Sequence, residues 1–127
     1  IVFNEAANEF VHTFIGENSC LPVHVENGST RDAEGQPLAL TLADALEDGS
    51  YRLYLRPSHI HLGKAASGMP NRLAATLSFV EFLGETRRFH LRAGSAELIA
   101  DQPGEIDLGP GASVEVGWQS SAMRIFR

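Results

Sequence analysis

Phe82-Leu83-Gly84-Glu85 repeats Phe14-Ile15-Gly16-Glu17, with residue 84 corresponding to residue 16, 68 positions earlier. An alternating apolar/polar run follows each copy, and a second such run closes each half of the chain. The closing runs begin at Tyr51 and at Val114, which are 63 positions apart. Two copies are fewer than the roughly three that a solenoid needs to bury its faces. The repeat therefore predicts two related β-units packed as one body.

Length and composition indicate one globular domain and exclude several classes of function. The chain has 127 residues, of which 43% are hydrophobic and 20% charged, as in ordinary globular domains. A net charge of −6 argues against nucleic-acid binding, which needs clustered basic residues to hold phosphates. Cys20 is the only cysteine, so no internal disulfide forms and a small buried side chain is the favoured interpretation. Because the sequence begins at Ile1 rather than Met, we expect it to be part of a longer protein.

Helical periodicity occurs at the start of the chain and gives way to strand periodicity after Gly16. The apolar residues at helical spacing are Phe3, Ala7, Phe10, Val11 and Phe14. They predict one short helix over residues 3–15, with Asn4 as its cap and Gly16 as its stop. Runs of period two then follow, separated by Gly-rich turns such as Asn27-Gly28.

The fold class predicted is all-β, with OB-like small barrels built from two related units. Within the longest alternating run, the apolar phase changes between Phe79 and Val80, as it does at a β-bulge. A Gly- and Ala-rich loop over residues 64–71, with Gly63 beside it, separates the halves. The predicted organisation is a linker helix over 1–16, a first unit over 17–66 and a second unit over 67–127.

His59-Ile60-His61 is the candidate metal site. Two imidazoles at i and i+2 of a strand point to the same side and suit a shared metal. A cupin-like enzyme would add a Glu about four residues on, but residues 63–66 read Gly-Lys-Ala-Ala. Two partly exposed histidines with no metal is the favoured interpretation.

Other catalytic patterns are absent from the sequence. The Gly63-Lys64 pair has Ser58 at the first glycine position of a P-loop and Ala65 in place of its hydroxyl residue. Neither a nucleophile elbow nor a dinucleotide-binding glycine motif is present. Glu17 and Glu85 occupy matching positions in the repeat, and local pairing beside a glycine explains them better than acid–base catalysis. The sequence predicts no catalytic residue, no cofactor and no resident metal.

A basic cluster late in the chain is the candidate small-anion site. It consists of Arg87, Arg88 and His90, with Trp118 as a further ligand or interface candidate. Arginine on the rim of a barrel suits an oxyanion. Trp118 continues the apolar side of the Val114 run, so a core position is the alternative.

Several segments, in the right order, resemble the C-terminal region of ATP-binding subunits of bacterial ABC importers. They are Asn8-Glu9-Phe10-Val11 with Phe14-Ile15-Gly16-Glu17-Asn18, Leu53-x-Leu55-Arg56-Pro57-x-x-Ile60, Phe79-Val80-x-Phe82-Leu83-Gly84 with Arg88, residues 109–118, and Ile125-Phe126. His12 stands where that family usually has Ala, and Ser58 where it usually has Glu. The second half resembles the TOBE (transport-associated OB) domain. The sequence around Phe14 is most similar to that of the polyamine and iron importers.

The resemblance implies a non-catalytic accessory and regulatory region. It implies OB-like barrels, association of two ATPase subunits, contact with the ATPase domain and, through the full-length protein, with permease subunits at the cytoplasmic side of the inner membrane. ATP and Mg²⁺ are expected only in the upstream domain. Arg56, within the Arg-Pro signature, is a further small-ligand or interface candidate beside Arg87, Arg88, His90 and Trp118. Two alternatives remain: an oxyanion or small-metabolite binding module, and the cupin-like enzyme.

Overall fold

A computed structural model describes residues 2–3, 18–41, 46–103 and 108–126. Its strands are β1 (Val2–Phe3), β2 (Ser19–Glu26), β3 (Ser29–Asp32), β4 (Gly49–Leu55), β5 (His61–Leu62), β6 (Asn71–Leu83), β7 (Thr86–Ala93), β8 (Ala96–Pro103), β9 (Ser113–Trp118) and β10 (Arg124–Phe126). The remaining elements are two 3-10 turns, η1 (Pro57–His59) and η2 (Ser120–Ala122), and a short helix, α1 (Lys64–Ser67). Phe3, the first residue of the predicted N-terminal helix, belongs to β1, and the rest of that helix lies outside the described residues.

The ten strands form two five-stranded sheets, which confirms the all-β prediction. The first sheet has the order β1-β10-β4-β2-β3, and the second has the order β5-β9-β6-β7-β8. Neighbouring strands are antiparallel except β1 and β10, which are parallel. Apolar side chains on the facing sides of both sheets form one shared core.

Each half of the chain gives its last strand to the sheet of the other half. After β4, η1 leads into β5, which pairs with β9 of the second sheet; after β9, η2 leads into β10, which pairs with β4 of the first. The two crossings have the same turn geometry. The amide of His59 donates to the Arg56 carbonyl, and that of Ala122 to the Gln119 carbonyl, both at 2.9 Å. Since 119 is 63 positions after 56, this confirms the predicted 63-residue offset.

The 68-residue offset, in contrast, does not relate equivalent elements. In strand register Ser19 pairs with Leu55, just as Asn71 pairs with Trp118, so β2 corresponds to β6 at an offset of 52. Gly84-Glu85 forms the β6–β7 turn, whose counterpart in the first sheet is Asn27-Gly28. Gly84 has a φ of 68°, which favours glycine. The second copy of the four-residue repeat, residues 82–85, is therefore explained by the needs of a tight turn. The first copy, residues 14–17, lies outside the described residues.

The predicted phase change in β6 is a β-bulge. Leu77 pairs with Leu91 and Phe79 with His90, so Ser78 is the extra residue. Before the bulge Leu73, Ala75 and Leu77 are buried, and after it Val80 faces the core instead. The bulge thus turns Phe79 to the outer face of the second sheet.

Buried polar side chains join the two halves at equivalent positions. The hydroxyl oxygen of Ser19, which begins β2, accepts the Ile99 amide at 2.7 Å. Asn71, which begins β6 and is fully buried, accepts the Thr41 amide at 2.7 Å and donates to the Trp118 carbonyl at 3.1 Å. With strands exchanged as well, neither sheet is one continuous stretch of chain. The boundary at 66/67 falls inside α1 and stays a prediction.

Candidate functional site

The three basic residues of the predicted anion site all lie on β7, but they do not form one site. Strand alternation places Arg88 and His90 on the outer face of the second sheet and Arg87 on the face that carries buried Phe89. Arg56 lies on another element, at the start of η1, and is exposed. The predicted cluster is therefore divided between two faces and two elements.

Arg88 forms a two-bond ion pair with Asp101 on β8. Its Nε lies 2.7 Å from Asp101 Oδ1 and its Nη2 lies 2.9 Å from Oδ2. The two side chains are 19% and 21% exposed, so solvent screens the pair less than a surface pair. An oxyanion at Arg88 would have to compete with this carboxylate.

His90 is held on two sides by residues of β6. Its Nε2 hydrogen-bonds to Glu81, and its ring stacks on Phe79 with centroids 4.0 Å apart and planes 11° apart. These contacts fix the imidazole on the outer face, beside a groove of about 270 Å³ that Phe79, Arg92 and Ile99 also line.

Arg87 packs on an exposed aromatic ring at the end of the β6–β7 hairpin. Its guanidinium carbon lies 5.1 Å from the centroid of Phe82, within the range of a cation–π contact. Phe82 is 71% exposed, so this contact lies at the surface.

Trp118 is a core residue, which corrects its place among the ligand or interface candidates. It is fully buried and belongs to the shared apolar core, because it lies on the core side of β9 just before the crossing at η2. Its Nε1 is buried and has no hydrogen-bond partner among the described residues. The alternative from the sequence, a core position, is the one observed.

The two histidines of the candidate metal site belong to different elements. His59 ends η1 and is exposed, whereas His61 begins β5 and is half-buried. The expected arrangement, both on one strand, is therefore wrong, because Pro57 starts a 3-10 turn there. Among the described residues no three His, Cys, Asp or Glu side chains lie close enough to share a metal ion.

An apolar surface at the tip of the β6–β7 hairpin was not predicted as a site. Among the described residues, the large exposed hydrophobic side chains are Phe79, Phe82 and Leu83, with exposed fractions of 50%, 71% and 45%. The sequence carries a signal for this surface, because four of the five residues 79–83 are apolar. A change of strand phase alone accounts for the burial of Val80 but leaves the other three apolar side chains exposed.

The described part of the chain contains no helix of the length and apolarity needed to cross a membrane.

A family model for the TOBE domain matches residues 53–126, from the middle of β4 to the end of β10. The chain belongs to the TOBE domain family. This is a non-catalytic domain, and the match includes both crossings, with the end of β4 and the whole of β5, β9 and β10.

Curated relatives share more of the chain than the TOBE match alone. The sulfate/thiosulfate import ATP-binding protein CysA of Mesorhizobium japonicum is 37% identical over 73% of this chain, and that of Bradyrhizobium diazoefficiens is 32% identical over 98%. The aligned regions are 25% and 35% of those proteins, so the chain spans a quarter to a third of their length. These relatives confirm the resemblance to a TOBE region of an ABC importer ATP-binding subunit. They are not polyamine or iron importers, so the closer likeness to that group is not supported.

A solved structure shares the fold. The cytoplasmic molybdate-binding protein ModG, crystallised with molybdate bound, superposes with a TM-score of 0.65 over 84% of this chain and 93% of ModG. At 17% identity this likeness shows the OB-like architecture alone.

Proposed function

We propose that this chain is the accessory and regulatory region of an ABC importer ATP-binding subunit, and that it supports association of two such subunits. The observation that carries the proposal is the alignment with importer ATP-binding proteins over up to 98% of the chain. In this proposal ATP and Mg²⁺ bind in another domain of the full-length subunit. That subunit works with permease subunits at the cytoplasmic face of the membrane.

The side chains support a structural rather than a catalytic role. Arg88 is paired with Asp101, His90 with Glu81, and Asn71 with three groups around it. A general acid or base needs access to a substrate proton. Among the described residues, buried Ser19 instead joins β2 to β8 of the other sheet, and buried Asn71 joins β6 to Thr41 and to η2.

For the transported substrate we propose the sulfate/thiosulfate class. The relatives named above carry that function in their names, at 32% and 37% identity. Substrate choice in such a system belongs to other parts of the transporter, so this assignment rests on relationship rather than on a site in this chain.

A domain exchange tests the accessory role. The aligned 35% of the Bradyrhizobium diazoefficiens CysA is replaced by this chain, and sulfate uptake is measured in cells that lack their own CysA. We expect uptake to be restored. A chimera that is folded, present at normal levels and hydrolyses ATP, yet gives no uptake, would contradict the proposal.

A matched variant shows whether uptake needs the folded domain or only the ATPase part of the chimera. The same chimera with Ile125→Asp places a charge in the shared core, where Ile125 is 5% exposed, and should unfold the domain. We expect that chimera to lose uptake. Equal uptake by both chimeras would show that the region is dispensable.

A second candidate function is oxyanion binding by the same domain. It is favoured by the shared fold of ModG, a molybdate-binding protein, and by Arg56, an exposed arginine outside the Arg88–Asp101 pair. Sulfate, molybdate and tungstate are tested by thermal unfolding of the 127-residue chain. A ligand at a hundredfold excess over its Kd should stabilise the chain by about 2.7 kcal/mol. No shift with any of the three would exclude this function.

A further inference from the structure

We propose that the outer edge of β6, over residues 79–83, pairs antiparallel with the same edge of a second copy of this chain. The inference rests on the proposed function, since it names the surface through which two subunits would associate. It requires an open edge, apolar side chains along that edge and a self-complementary sequence. The described residues meet all three conditions.

Within the part of the chain that the structure describes, this edge is open because β6 extends beyond the start of β9. Pairing with β9 ends at Thr76 and Ser113, and the last backbone bonds join Leu77 to Gly111 and Ala112. From Phe79 to Leu83, β6 pairs with β7 on one side. Among the described residues no strand covers its other side, and an open strand edge is a ready template for another strand.

The open edge carries apolar side chains on both faces. Phe79 and Leu83 lie on the outer face with Glu81, whereas Phe82 lies on the other face with Val80. Three of the four apolar side chains are at least 45% exposed. A strand laid along this edge would contact side chains on both faces, which a partner bound flat on one face would not do.

The sequence of this edge reads alike in both directions. Residues 79–83 are Phe-Val-Glu-Phe-Leu, two apolar residues on each side of Glu81. A two-fold axis through Glu81 and perpendicular to the sheet pairs Phe79 with the partner's Leu83, and Val80 with the partner's Phe82. Such self-complementarity is the condition for a symmetric dimer interface. This pattern favours a second copy over an unrelated partner.

The central Glu81 pair is the unfavourable contact in this arrangement, because like charges directly opposite each other destabilise paired strands. His90 hydrogen-bonds to Glu81, and Arg88 lies opposite it in register. The Phe79–His90 stack also holds the β6–β7 hairpin in shape, and the Arg88–Asp101 pair joins β7 to β8. A preformed edge lowers the ordering cost of association.

Sedimentation velocity of the 127-residue chain over a concentration series tests the proposal. We expect a monomer–dimer equilibrium whose Kd rises about tenfold or more in Phe82→Ser, through loss of a buried aromatic ring. Ala74→Ser is the control, because Ala74 is exposed on the same strand where β9 covers the edge. A chain that stays monomeric throughout, or a Kd that Phe82→Ser leaves unchanged, would overturn the proposal.

Charge exchange at the axis gives an independent readout. In a mixture of the natural chain and Glu81→Lys, the mixed dimer should exceed its statistical share, because opposite charges then face each other. Glu81→Cys should form a disulfide-linked dimer on oxidation in a Cys20→Ala background, whereas Thr76→Cys in that background should not. A statistical mixture, or equal cross-linking at both positions, would contradict the register.

Failure of this surface is distinguishable from failure of the proposed function. If the chimera with CysA restores uptake while the chain stays monomeric, the β6 edge is not the contact and the accessory role stands. If the chain dimerises through β6 while the chimera gives no uptake, the β6 contact is correct and the accessory role is wrong.

Discussion

At the scale of single residues, Gly117 shows why side-chain volume matters where the chain crosses between sheets. A Cβ built on Gly117 would lie 2.8 Å from the Ala66 carbonyl oxygen and 3.0 Å from that of Asn71. Both neighbours are backbone atoms, so relief requires the chain itself to move. The position 63 residues earlier is Tyr54, whose ring packs edge-to-face on Phe126, so only one of the two equivalent sites is closed to a side chain.

Gly117→Ala should therefore destabilise the domain by about 1–3 kcal/mol. Gly109→Ala is the matched control, because a Cβ there meets no atom within 4 Å. Urea unfolding of both variants measures the difference. Equal stability of the two variants would contradict the close approach at Gly117.

Both the oxygen and the nitrogen of the buried Asn71 side chain have hydrogen-bond partners. Asn71→Ala removes the acceptor of the Thr41 amide and the donor to the Trp118 carbonyl. Each buried group left without a partner costs about 1–3 kcal/mol, so we expect a loss of about 2–4 kcal/mol in total. Ser78→Ala, at an exposed position of the same strand, should change the unfolding free energy far less.

At the scale of elements, β5 and β10 are short strands that the two halves exchange, and we expect both to matter for the stability of the domain. Leu62 and Ile125 are 63 positions apart, 4% and 5% exposed, and each lies in the strand that one half gives to the other. Deleting such side chains removes apolar contacts and leaves a cavity. The two crossings should therefore contribute similarly to stability.

Leu62→Ala and Ile125→Ala should each cost about 2–4 kcal/mol. Thermal and urea unfolding of both variants check this, with exposed Ala74→Ser as the control. A large cost at one position and almost none at the other would show that the two crossings are unequal.

Two ion pairs join β7 to β8, and we expect a larger interaction energy for Arg88–Asp101 than for Arg92–Glu97. The first is a two-bond pair at about a fifth exposure, and the second is a single 3.0 Å contact with side chains 55% and 76% exposed. Double-mutant cycles should give about 1 kcal/mol for the first and a smaller value for the second. The reverse order would contradict the geometry.

At the scale of the whole molecule, the sequence predicted the class of fold better than its symmetry. Alternation, the bulge in β6 and the 63-residue offset follow from local patterning, and all three are observed. The exchange of β5 and β10 was not predictable, because strand partners depend on long-range register rather than on period. The division of the candidate site residues has a local cause instead: Arg87, Arg88 and His90 are neighbours in sequence, and the period-two pleat of β7 places them on two faces.

The proposed role of this chain, an accessory region of a sulfate-class importer ATPase, predicts the rate of sulfate uptake in cells whose CysA carries this chain in place of its own aligned region. We expect a rate close to that of the parent CysA, and loss of uptake when Ile125→Asp unfolds the exchanged-strand core. A folded, ATP-hydrolysing chimera that transports no sulfate would contradict the proposed role.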